Sequence, residues 1–411
     1  MEEYDAPESS FERTEPYGVN PFRMTSRNNG LSGITLPLVS VIIVNYNYGR
    51  FLWQAVTSVF EQTYTNIECI IVDNASTDES GSVLAQVEQV FPQATIIRCA
   101  ENGGQSAASM KGYAASSGQY VVFLDADDFL LPECLATHIF VHLSVRIPVG
   151  FTSGDMAQSV GPRLVLGTMS GLSDYVCSGR GRRDNLLRRI DHVCKELWPF
   201  EAPDEAIAQD VHYVPPEKAT GWVWSATSGN CFRREALQLF LDNRHLPDLR
   251  ACTDAYLLRG IGMVIGSILI DRPLAVYRLH GQNVFSRSPQ LNGIAVHDRG
   301  APSDNDLLAR RLVMDHLVDN FAFFAGRLYD PHALLWTLRR LDRIAPKLPP
   351  KLPGCKTYLG GKVLESIDSV KALFGCWKSV CLLLALHVSV PTIIGFLCRR
   401  RDHVLKEKRS G

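Results

Sequence analysis

Asp125 and Asp127 stand one residue apart in Phe123-Leu124-Asp125-Ala126-Asp127-Asp128, directly behind an apolar run. Carboxylates in that arrangement can both face a hard divalent cation, and Mg²⁺ bound by one or two carboxylates keeps positions open for substrate phosphates. Mg²⁺ or Mn²⁺ is therefore the expected cofactor. A second polar cluster, Asp73-Asn74-Ala75-Ser76-Thr77-Asp78, follows another β-branched run and offers hydrogen bonds to a nucleobase or ribose. Ser76 and Asp78 within it also suit an Asx turn and a helix cap, and either acidic cluster taken alone could be no more than a polar turn. Trp222 and Trp224 offer an apolar platform for a sugar or lipid, or core packing. The arginines at 180, 182, 183, 188 and 189 could grip a diphosphate or an acidic head group, or form a solvated face.

The elements that must carry these residues alternate between apolar runs and helical stretches from 37 to 142, the pattern of βαβ units and a mainly parallel sheet. Strands are expected at 39–44, 67–72, 94–98 and 120–124, with helices at 51–62, 80–90 and 105–117. The polar clusters then fall just beyond the carboxyl ends of strands, where open α/β sheets bind ligands. Residues 152–216 are rich in Gly, Arg and Pro and predict irregular connections. Helices are expected at 233–241, around 254–259 and over 305–344, strands at 265–270 and 274–278, and a linker at 346–353. The expected organisation is a tail at 1–36, a catalytic domain at 37–300, a helical extension at 301–370 and a membrane-associated helix with a basic tail at 371–411.

The 42 basic and 43 acidic residues nearly cancel, which leaves no overall field to attract nucleic acid. Eleven scattered cysteines include no CxxC pair, so a zinc or redox motif is not indicated and a reducing location is favoured. Residues 1–36 are polar and acidic and read as a disordered tail rather than a signal peptide. Residues 379–398 carry no formal charge, and as one helix their length would reach across a bilayer core. Six basic against two acidic residues follow within 399–411, which would hold that end at the cytoplasmic face. A buried or surface amphipathic helix is the alternative.

Four segments in order, Val39-Ser40-Val41-Ile42-Ile43-Val44-Asn45-Tyr46-Asn47, Ile70 to Asp78, Asn102-Gly103-Gly104 and Phe123 to Asp128, together resemble the family 2 glycosyltransferases of GT-A type. The resemblance implies a GT-A fold, α/β with a Rossmann-like sheet flanked by helices, here followed by a helical C-terminal region. It also implies inverting transfer of a sugar from a nucleotide diphosphate sugar, by family habit of uridine or thymidine, to an acceptor; with the C-terminal segment at a membrane surface, a glycan or lipid-linked hydroxyl is the acceptor expected. By the same likeness Asp73 reads the base, Asn45, Tyr46, Asn47 and Asn102 line the nucleoside pocket, Asp125 faces the ribose or the metal, and Asp127 is the metal ligand. Asp254, in Thr253-Asp254 after the Ser228-Gly229-Asn230 segment, matches the acceptor-side acid and is the expected base, with Asp248 as fallback. His280, in Tyr277-Arg278-Leu279-His280, could join the metal shell or bond a phosphate.

Three departures stand out: Asn74 replaces a usual second acid, Thr253 replaces a usual Glu, and no Gln-x-x-Arg-Trp segment of the processive synthases occurs. A nucleotidyltransferase is the enzymatic alternative, but Asn45 to Arg50 is not the Gly-rich basic loop it would use. A non-catalytic sugar-nucleotide-binding protein is the alternative of another class.

Overall fold

Val39–Asn45 forms β1 at the centre of the sheet because its β-branched residues are buried on both faces, as a strand flanked by parallel partners requires. The computed structural model describes residues 35–188, 206–283, 304–326, 331–344 and 346–396. From Leu36 onward these form one unit. The expected tail at 1–36 lies almost wholly outside the described residues, as do Arg189 and the basic residues beyond 398.

The N-terminal half runs β1, α1 (Gly49–Phe60), β2 (Ile67–Asp73), α2 (Ser80–Val90), β3 (Thr95–Arg98), α3 (Gln105–Ala115), β4 (Tyr120–Asp125), β5 (Phe129–Leu130) and α4 (Cys134–Ser144). Strands β3, β2, β1 and β4 are adjacent and parallel, as the sequence predicts. Beyond them lie β9 (Asn230–Arg233), β6 (Phe151–Val160) and β10 (Ser267–Arg278). The pairs of β9 with β4 and β6 are antiparallel, which makes the complete sheet mixed. Two short strands, β7 (Arg163–Leu166) and β8 (Val211–Val214), add to β6 and β10.

Successive strand residues point to opposite faces, and the sheet separates two cores accordingly. Val41, Ile43, Ile71, Val122 and Leu124 pack with Leu52, Val56 and Leu84 of α1 and α2. Ile42, Val72, Val121 and Phe123 pack on the other side with Ala108 of α3. This second core continues through α7 (Arg234–Leu241) and α8 (Thr253–Ile265) into the C-terminal helices, after the minor helices α5 (Ser170–Cys177) and α6 (Ile207–Asp210). The C-terminal helices are α9 (Asp304–Asp319), α10 (Phe321–Ala325), α11 (Pro331–Asp342), α12 (Tyr358–Glu365) and α13 (Ile367–Ala385). Phe240 of α7 meets Phe324 with ring centroids 5.6 Å apart, and Arg259 of α8 pairs with Asp306 at 2.8 Å.

Two expectations are corrected. Residues 152–216 are not all irregular: β6 is a buried ten-residue strand whose polar side chains are bonded internally. Thr152 meets His138 at 2.7 Å, Ser153 accepts from the Ser225 amide at 3.0 Å, and Asp155 accepts from the Met169 amide at 2.7 Å. Nor do residues 379–398 form one helix. Helix α13 stops at Ala385, and His387 takes a left-handed φ of 59°. Val388 then bridges to Cys355, and the Ser389 amide donates to the Gly354 carbonyl at 2.9 Å. Residues 390–396 are helical again, with Pro391 in the first turn, where its missing N–H costs no hydrogen bond, so the segment is two helical pieces joined by a non-helical turn. Among the described residues no helix is long and apolar enough to cross a membrane.

Candidate active site

The alternation of the strands decides which acids reach the cavity at the carboxyl end of the parallel sheet. Asn45 and Asp73 are register partners at the ends of β1 and β2, and both follow the residues that face α1 and α2. Asn45 accordingly donates to Asp73 at 2.9 Å, to Ser76 at 3.1 Å and to Ser80 at 2.9 Å, welding β1 to the turn that starts α2. Asn47, at φ 60°, accepts from the Thr77 amide at 2.7 Å, while Asp78 accepts from the Gly49 amide at 2.8 Å. These residues shape the turn from behind, and the side chains that enter the cavity here are Tyr46, Tyr48 and Asn74.

Asp125 has the opposite parity, that of Val121 and Phe123, and faces a cavity of about 340 Å³. Asn74, Asn102, Gln105, Asp125, Asp127 and Asp254 all line it. Asn74 donates to the Asn102 side chain at 2.9 Å, and the same Asn102 oxygen accepts from the Gly104 amide at 2.8 Å. Gly104 has φ 87°, and a Cβ there would lie 2.8 Å from the Arg250 Cα. Glycine therefore allows the Arg250 segment to close over the start of α3, where Arg250 donates to the Asn102 carbonyl at 3.0 Å.

Three carboxylates converge with few compensating charges. Gln105 donates to Asp125 at 3.0 Å. Burial, followed by the negative charges of Asp127 and Asp254, pushes the Asp125 carboxyl up from 3.8 to about 7. Asp128 turns away from the opening, accepting from Ser228 Oγ at 2.7 Å, and burial together with its two acidic neighbours raises it well above the usual carboxylate range. Asp127 Oδ2 meets His280 Nε2 at 2.9 Å, and Nδ1 of that ring accepts from the Gln282 amide at 3.4 Å. This arrangement assigns the proton to Nε2, donated to Asp127. Tyr48 and Phe51 hold the imidazole, with centroids 5.4 and 5.0 Å away.

Asp254 enters from the opposite wall in the first turn of α8, accepting from the Ala255 amide at 2.8 Å. Burial raises its pKa, and Arg259 partly opposes the rise. Ser106 and Thr253 hydroxyls, 2.7 Å apart, tie the start of α3 to the start of α8. Asp248, the fallback base, is a surface residue 3.3 Å from His245 and does not line the cavity.

The structure adds two residues to which sequence reasoning gave no role. Gln105 links Asp125 to the α8 side of the cavity. Arg278 is buried between the Phe51 and Phe129 rings and donates to the Asp127 carbonyl at 2.8 Å and to Gln54. It fixes the loop that presents Asp127. An arginine two residues ahead of His280 in an apolar strand was the available signal. Neither tryptophan lines the cavity: Trp224 is core, with Nε1 donating to Ser267 at 2.9 Å, and Trp222 lies under Arg259. Arg180 and Arg183 cover Tyr175 and Tyr213 instead.

Among the described residues no ready-made cluster of three His, Cys, Asp or Glu ligands occurs. Asp125 and Asp127, one residue apart on the same turn, nevertheless fit a hard divalent cation, because a cation would relieve their mutual repulsion; His280 would join them only on giving up the Nε2 proton that it donates to Asp127. The ligands left over would come from the phosphates of a bound nucleotide.

Residues 40–141 match the sequence model described as Glycosyl transferase family 2. A glycosyltransferase of Nostoc sp. is 30% identical over 245 residues, 60% of this chain and 66% of that protein. A Bacillus subtilis glycosyltransferase named for teichuronic acid biosynthesis is 39% identical over 92 residues, 22% of this chain and 36% of that protein. The chain thus spans less than two thirds of the length of these relatives. Among solved structures, residues 1–349 of S. aureus TarS in complex with UDP-GlcNAc align with a TM-score of 0.47 at 13% identity, over 81% of each chain.

Proposed function

We propose, from the premise that this chain belongs to the family 2 glycosyltransferases by its residues 40–141, that the cavity transfers a sugar from a nucleotide diphosphate sugar to an acceptor hydroxyl. The observation that carries the reading is that Asp125, Asp127 and Asp254, from two distant stretches of chain, open into one cavity. The wall of Tyr46, Asn74 and Asn102 suits a nucleoside, with an aromatic face for the base and amides for its polar edges. Asp73 supports that wall through Asn45. Asp127 and Asp125 would hold Mg²⁺ or Mn²⁺, with His280 joining them on loss of its Nε2 proton. When bound, the ion neutralises charge on the leaving nucleotide diphosphate.

Asp254 is the base of this reading. It stands across the cavity from the acidic turn, so an acceptor on its side meets the sugar from the face opposite the diphosphate, and inversion follows. Burial makes its carboxylate a stronger proton acceptor than one in water, and the proton of the acceptor hydroxyl passes to it as the new bond forms. Arg278 and Gln105 keep the two acids of the turn in place. A glycan or lipid-linked acceptor in polysaccharide synthesis is the class inferred, which agrees with the name of the Bacillus relative.

The test is a screen of nucleotide diphosphate sugars for nucleotide release by the full chain with Mg²⁺ or Mn²⁺, followed by mass analysis of the product and NMR of its anomeric centre. Release from one donor with an inverted product supports the reading. Binding without turnover, across donors and acceptors, would replace it with a non-catalytic nucleotide-sugar site.

A further inference from the structure

Helices α11 and α13 enclose a second groove, of about 230 Å³, whose floor is apolar. Leu335, Trp336, Phe374 and Leu382 line it, and the cations of Arg339 and Lys378 stand with them. Around it the surface is unusually greasy. Trp377 is 79% exposed and Trp336 is 56% exposed, and Leu373, Leu384, Val390 and Ile394 are exposed as well. Positions 377 and 384 share one face of the part of α13 beyond the kink at Gly375 by their spacing of seven. Residues 369–396 contain no acidic side chain, and their charges are Lys371 and Lys378. Arg339 lies over the Trp336 ring at 4.9 Å, so the aromatic edge and the cation share one outward-facing site.

Exposed tryptophans beside lysine and arginine, without carboxylates, suit the boundary between lipid head groups and acyl chains. A second copy of this chain fits worse. A two-fold interface over this face would gather Arg339 and Lys378 from both copies with no acid from residues 369–396 to oppose them. Residues 399–411 add six basic against two acidic side chains in sequence. We propose that this face docks on an anionic phospholipid surface, with Trp336 and Trp377 at head-group depth, one acyl chain in the groove and the lipid phosphate held by Arg339 and Lys378. The chain would then lie on the bilayer without crossing it. The proposal is independent of the donor-site reading, which the nucleotide-release screen scores separately.

The experiment is flotation of the full chain with vesicles of phosphatidylcholine alone and of phosphatidylcholine mixed with phosphatidylglycerol. Partition is expected with the anionic vesicles, weakening with salt. Lys378→Gln and Arg339→Gln should each reduce it about fivefold, the share of one cation near such a surface. With brominated acyl chains, tryptophan emission should be quenched in the parent and spared in a Trp336→Phe, Trp377→Phe variant. Near-ultraviolet circular dichroism of the glutamine variants checks their fold. No partition, partition unchanged in the double glutamine variant, or equal quenching in the double Phe variant would overturn the proposal. So would a reversible dimer that Leu384→Glu abolishes.

Discussion

Asp125→Asn should stabilise the metal-free protein at alkaline pH, although it removes a residue expected to serve function. The folded chain holds this carboxyl at about 7 against an ordinary 3.8. A raised carboxyl pKa means that the folded state binds the proton more tightly than the unfolded one. The group therefore costs nothing below about pH 4, costs more as the pH rises, and reaches its full cost above about pH 7. At about 1.4 kcal/mol per pH unit that full cost is on the order of 4 kcal/mol. Asparagine keeps the acceptor for Gln105, but Asp127 and Asp254 still face each other, so only part of the cost is recovered. The expected gain at pH 8 in EDTA is about 1–3 kcal/mol, at roughly 2–4 °C of melting temperature per kcal/mol.

Denaturant titrations from pH 5 to 8.5 should show the difference between variant and parent shrinking as the pH falls. If Asp125 is a metal ligand, the order should reverse with Mn²⁺ and the nucleotide of whichever donor the screen identifies, because a bound ion would relieve the parent and find one ligand fewer in the variant. A variant less stable than the parent at pH 8 in EDTA, or a gain independent of pH, would refute the electrostatic account of the cavity.

Asp127→Ala should abolish divalent-dependent transfer and leave the melting temperature within a few degrees, and EDTA-resistant turnover in this variant would remove its metal role. Asp254→Asn should retain nucleotide binding by calorimetry and lose at least about 10²-fold in kcat, the usual worth of a placed base, whereas Asp248→Asn should be silent in both measurements. Gly104→Ala forces a Cβ towards Arg250 at positive φ and should cost about 1–3 kcal/mol by chemical denaturation, with a raised KM for the donor.

The parallel half of the sheet was legible because its strands are uninterrupted apolar runs closed by polar turns, and hydropathy alone marks both. That Asp125, Asp127 and Asp254 line one cavity could not be read from spacing, because Asp254 lies more than a hundred residues from the other two. Strand parity was legible in principle: Asp73 shares the parity of Ile71, and Asp125 that of Phe123. The motif reading gave both acids a ligand-facing role without counting it. Gln105 and Arg278 were not legible, since a helix-start glutamine and a strand arginine acquire meaning only from partners distant in sequence. Strand β6 was hidden because its buried face is bonded through hydroxyls and an aspartate, which a hydropathy pattern scores as loop. The break after Ala385 was less legible: His387, Ser389, Pro391 and Thr392 spoke against a span, but a left-handed turn at His387 leaves no mark in a count of uncharged residues.

The packing of α8 bears on how such chains can be recombined. Its first turn supplies Asp254, while the rest of the helix is buried between α7 and the C-terminal helices, with Arg259 bound to Asp306. A chimera joined near residue 300 would cut through this shared interior and leave Phe240, Leu258 and Ile261 facing an unmatched surface. The part of the sheet from β3 to β4 packs on α1, α2 and α3, and only its α3 face joins the core shared with α9 to α13. Exchange between relatives is therefore expected to move the Asp254 turn and the helical extension as one block, and that block must keep its contacts to the start of α3 through Thr253 with Ser106 and Arg250 with Asn102.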